Sequence, residues 1–62
     1  MTDLSWEYLF SRLCHLATEA FVADTISEEE AERHHDYWQC CSKEELLRDW
    51  EDRASFPWPV KE

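Results

Sequence analysis

The chain has no Gly and no Asn in its 62 residues, and only two Pro, Pro57 and Pro59. Without Gly there is no phosphate-cradling loop and no Gly-based tight hairpin turn. Three Cys are too few, and of the wrong parity, for a disulfide framework. No apolar run approaches the roughly 20 residues that span a bilayer. The N-terminus reads MTDLSWE, acidic where a secretory leader is basic. Basic residues are scarce: six Lys and Arg stand against fifteen Asp and Glu, a formal net charge of −9. Phosphates need Lys and Arg to neutralise them, so direct binding of DNA or RNA is not expected. The setting these absences imply is the cytoplasm, with reduced thiols, no membrane contact and no cofactor.

Aromatic residues are plentiful, at 15% with four Trp, which argues against a disordered chain. The length fits a single small helical domain, residues 1–62. A core of this size supplies only about 3–5 kcal/mol. A partner chain is the natural further source of stability.

Helical periodicity dominates the first third. Trp6, Leu9, Phe10, Leu13, Leu16, Ala17, Ala20 and Phe21 recur at three- and four-residue steps, predicting an amphipathic helix over about 3–23 capped by Thr2 or Asp3. Leu4 and Tyr8 widen the stripe beyond what one short helix would cover. That width points to a homodimer with Leu9, Leu13 and Leu16 in its seam; the alternative is that helix 1 fills a monomer core. After a connector, VADTIS, Ser27-Glu-Glu-Glu30 forms a capping box with Ile26 and Ala31 as its hydrophobic staple. It opens a helix over about 28–41, with Ala31, one of His34 and His35, Trp38 and Cys41 inward. Ser42-Lys-Glu-Glu45 repeats the box, and the stripe slips to Leu46, Leu47, Trp50 and Ala54. Both signs predict a break near Cys41–Ser42 and a third helix over about 43–54. No Gly or Pro enforces the break, so one helix over 28–54 is the alternative. SFPWPVKE then forces extended backbone through two X-Pro steps, giving a Pro-containing tail over 55–62. The fold class is all-α: two or three helices in an antiparallel hairpin or small bundle, with that tail laid across them.

Charge concentrates in one place. Residues 24–42 hold six acidic side chains against Arg33. Glu28, Glu29 and Glu30 lie at the positive end of a helix dipole, where anions are stabilising. Glu28, Glu32 and Asp36 follow at four-residue steps along one side. Such a face either keeps the protein in solution or docks a partner with a basic surface. The expected docking set is Glu28, Glu29, Glu32, Asp36, Tyr37 and Trp58. Tyr37 is included because one of Tyr37 and Trp38 must face out. Trp58, held between two prolines, is either an exposed anchor or a cap over the open end of the helices. A second acidic row, Glu45, Asp49 and Asp52, admits a stricter reading: carboxylates at helical spacing that imitate a row of phosphates.

Catalysis and metal binding find less support. Cys14-His15, His34-His35 and Cys40-Cys41 are adjacent pairs. Neighbours on a helix point about 100° apart, so each pair offers one ligand at most, against the Cys-x2-Cys or His-x3-His spacing of zinc sites. A zinc module shared between helices 1 and 2 is the remaining metal alternative. A Cys–His nucleophile has its residue types but no pocket, and the chain reads as a non-enzyme. In size, charge and lack of Gly and catalytic residues, the chain resembles the small, acidic, helical early or accessory proteins of temperate bacteriophages. That resemblance implies a regulatory role exercised by binding a host or phage protein.

Overall fold

The structure, a computed structural model, describes residues 5–60. It is built from α1 (Trp6–Val22), α2 (Glu28–Gln39), α3 (Lys43–Glu51) and a short 3-10 turn, Arg53–Ser55. No strand occurs among the described residues, so the all-α class holds. Nor is any described helix long and apolar enough to cross a membrane.

Helix α1 starts later than its periodicity suggests. Ser5, in extended conformation, accepts the Tyr8 amide and caps it. Thr2 and Asp3, the expected caps, and Leu4 lie outside the described residues. The apolar period runs through the helix start without marking it, so the nearest hydroxyl with β-region backbone decides. At the far end the chain reverses through Asp24 at φ 64°. The Thr25 amide bonds the Ala20 carbonyl and the Asp24 amide that of Phe21. This is a Schellman closure, in which Asp24 takes the left-handed position usually filled by Gly. Asp tolerates that region better than most side chains.

Both predicted capping boxes form. Ser27 accepts the Glu30 amide at 3.2 Å, and Ser42 accepts that of Glu45 at 3.3 Å. In each, the Glu carboxylate reaches back to the cap residue's amide. Ile26, Ala31, Cys41 and Leu46, the staple residues, are all buried in one core. The chain therefore breaks between α2 and α3, and the single helix over 28–54 does not form. Helix α2 ends two residues early because the Cys40 and Cys41 amides turn back to the Tyr37 and Trp38 carbonyls, tightening the last turn. The Cys41 thiol also donates to the Tyr37 carbonyl at 3.1 Å. Helix α3 stops at Glu51 rather than 54. There the Arg53 Nη1 donates to the Trp50 carbonyl at 2.6 Å and the Ser55 amide to that of Asp52.

Helix α1 is the spine, packed against both α2 and α3. Its direction against α2 is antiparallel, as expected: the Trp6 indole at its start donates to the Cys41 carbonyl (2.8 Å), and mid-helix Cys14 meets His35. The core gathers Leu9, Leu13, Ala17, Ala20, Trp38 and Leu46, sealed by Trp58 from the tail. Phe56 lies 6.0 Å from the Trp38 ring and 5.1 Å from that of Trp58. Trp6 stacks on Phe10, and Trp50 lies between the Arg12 and Arg53 guanidiniums at 5.5 and 4.2 Å.

Two sequence expectations change here. Leu9, Leu13 and Leu16, assigned to a homodimer seam, are buried within the single chain. The centre of the stripe is covered because α2 and α3 both fold onto α1, while Tyr8 and Phe21 at its edges stay 38% and 41% exposed and Leu4 lies outside the described residues. Trp58, assigned to partner contact, is 3% exposed. The two prolines turn the tail back over the helices, so its indole caps the core instead of reaching outward.

Candidate protein-docking face

The outward surface of α2 follows from what its inward surface must do. Ala31 and Trp38 are buried, with His34 and His35 half-buried beside them. At about 100° per residue this turns Glu28, Glu29, Glu32 and Asp36 to solvent, and all four are exposed. They are not equally available. Glu29 lies 3.9 Å from the Arg33 guanidinium. Glu28, Glu32 and Asp36 have no side-chain partner among the described residues. Glu30 has one carboxylate oxygen committed to the Ser27 cap.

Tyr37 is 56% exposed, as expected of the residue beside buried Trp38. It does not share the acidic stripe. One step beyond Asp36, it sits on the other flank of α2, beside Arg33 and Glu30. The structure thus brings Glu28, Glu29, Glu32 and Asp36 together and sets Tyr37 apart, with Trp58 withdrawn into the core.

The second acidic row is used internally. Glu45 closes the α3 capping box. Asp49 accepts the buried Trp38 indole at 2.9 Å. Asp52 accepts the Ser55 hydroxyl at 3.0 Å. Each of these three carboxylates is tied to its own fold, so the second row does not stand free as Glu28, Glu32 and Asp36 do.

On the Tyr37 flank lies an open groove of about 470 Å³. Trp38 and Phe56 form its apolar side, Tyr37 and His34 flank it, and Glu30, Arg33 and Asp49 line it. His34 sits edge-on to Trp58 (4.9 Å) and tilted over Trp38 (5.4 Å). Burial is the main influence on its imidazole and lowers its pKa from the ordinary value, against the opposing pull of Glu30 and Asp49. His35 reaches the Cys14 carbonyl at 3.3 Å. Both histidines are therefore engaged, whereas the sequence predicts one inward and one in water. The groove was not foreseen. The signal was a Trp on the inward stripe: a buried indole N–H needs an acceptor, and Asp49 on the following helix was a near one.

No group of three or more His, Cys, Asp or Glu among the described residues is placed to hold a metal ion. Cys14 is half-buried, Cys41 buried and Cys40 exposed, and His34 and His35 are turned to other partners. Burial pushes the Cys14 and Cys41 thiols up, keeping them protonated and poorly nucleophilic.

Comparison with protein-family models finds no match, and comparisons with curated proteins and with solved structures find none either.

Proposed function

We propose that the protein is a non-enzymatic binding module that docks on a basic surface of another protein through the outer face of α2. The observation that carries this reading is the row Glu28, Glu32 and Asp36: exposed carboxylates with no side-chain partner among the described residues, on a helix opened by a capping box. On α3, by contrast, Glu45 is committed to a cap and Asp49 to an indole. A row left unneutralised speeds encounter with a positive partner and turns away nucleic acid and anionic lipid. The role is regulatory or accessory, in keeping with the phage-type resemblance, and is exercised in the cytoplasm of the cell that makes the protein.

Affinity-tagged protein in extract from its native cells tests this. It should retain a basic protein at low salt and release it at high salt, since exposed charge pairs are screened. The triple variant Glu28→Gln, Glu32→Gln, Asp36→Gln should keep the helical circular dichroism and lose the partner. A triple variant that holds the same protein as tightly as the wild type would reduce the acidic face to a solvation device.

A further inference from the structure

We propose that the groove between α2, α3 and the tail receives an arginine side chain of the partner. This rests on the basic-partner reading above and assigns its point of deepest contact. The groove joins two features that suit a guanidinium and few other groups. Its walls are aromatic: Tyr37, exposed and on the rim, with Trp38 and Phe56 behind it. Its polar edge is acidic. Asp49 uses Oδ2 to accept the Trp38 indole, so Oδ1 keeps its lone pairs. Glu30 uses Oε1 for the cap, so Oε2 does the same. The indole bond and the capping box also fix where these two carboxylates stand, without neutralising either. Arg33 on the rim is the one cation in the lining, and its guanidinium is turned to Glu29.

The chemistry selects among occupants. An anion would meet two carboxylates. A purely apolar side chain would strip water from Asp49 and Glu30 without replacing its hydrogen bonds. A lysine ammonium would satisfy the charge, but its compact, strongly hydrated head uses an aromatic wall poorly. A guanidinium is planar, weakly hydrated, stacks on aromatic faces and carries five donors. It can lie against Tyr37 while donating to Asp49 and Glu30.

The test is a titration of isotope-labelled protein at low salt with a blocked Gly-Arg-Gly tripeptide, followed by amide and indole NMR shifts. Its counterparts carry lysine, or citrulline, which has the shape of arginine without the charge. The expected result is saturable movement of the Trp38 indole signal and of the Tyr37 and Asp49 amides with arginine, weaker movement with lysine, and none with citrulline. Tyr37→Ala, at an exposed position, should weaken arginine binding about two- to fivefold, the equivalent of one exposed cation–π contact. Glu30→Gln, which preserves the capping box, should weaken it as well. Equal response to citrulline or to lysine would overturn the assignment. So would shifts confined to Glu28, Glu32 and Asp36 with the groove silent, although the docking face would then stand. Silence at both places would overturn the groove, and partner capture unchanged in the Glu28→Gln, Glu32→Gln, Asp36→Gln variant would separately overturn the docking face.

Discussion

Replacing Leu13 by Ala separates a core residue from a seam residue. Leu13 has no exposed surface in the single chain, enclosed where α1 meets the other elements. Truncating a fully buried Leu to Ala costs about 2–5 kcal/mol, the lost transfer energy plus the cavity left behind. The whole domain has about 3–5 kcal/mol to lose. Taking about 4 for the domain and about 3 for the substitution leaves about 1 kcal/mol. The unfolded fraction then rises from roughly 0.1% to roughly 15% at 25 °C. In a domain of this size, the midpoint should fall by about 12–24 °C. Thermal melts by circular dichroism measure this, with sedimentation equilibrium run alongside. Leu13→Met, which conserves volume, should lose under about 1.5 kcal/mol. Val22→Lys, at a position 77% exposed and at the end of α1 that favours cations, should stay within about 0.5 kcal/mol of wild type. The reasoning fails if Leu13→Ala melts like wild type but sediments as a smaller species, because Leu13 would then face another chain.

Ser27→Ala and Ser42→Ala each remove one cap and should each lower stability by about 1 kcal/mol, read as a drop of roughly 4–8 °C in the melt. An unchanged midpoint would mean that the helix starts are held by packing alone. Asp24→Gly should raise the midpoint, since Gly occupies the left-handed region without a Cβ clash; a fall would show that the Asp24 side chain contributes more than the strain costs. His34 predicts a pH effect. Its folded-state pKa lies below the ordinary value of about 6.5, so the unfolded chain takes up the proton first. Stability is then fully held above about pH 6.5 and is lost as pH falls toward the folded value. Melts between pH 7.5 and about 5.5 should slope accordingly in wild type and flatten in His34→Gln. Equal slopes in the two proteins would assign the effect to other groups.

What could be read from the residues was the local grammar. Two Ser-x-x-Glu boxes placed both internal helix starts, because a cap is decided by four adjacent residues. The inward stripe of α2 was legible for the same reason, down to Trp38 turning in and Tyr37 turning out. The start of α1 was not, since its apolar period runs past Ser5 without interruption. Tertiary reach was hidden as well. Nothing local decides between an anchoring and a capping Trp58, and the structure has it capping the core at 3% exposed. The acidic face of α2 was legible because exposure follows from the pattern. The groove beside it was not, since it needs Trp38, Asp49 and Phe56, contributed by three elements whose approach no periodicity encodes.

Helix α2 turns few side chains inward: Ala31 and Trp38 are buried and two histidines half-buried. Its remaining positions touch little, so most substitutions there leave the folding equilibrium almost unmoved. If α2 docks a partner as proposed, specificity can therefore drift along this helix while the scaffold stays constant. A descendant or an engineer could exchange the target by rewriting one surface, with no repair needed in the interior.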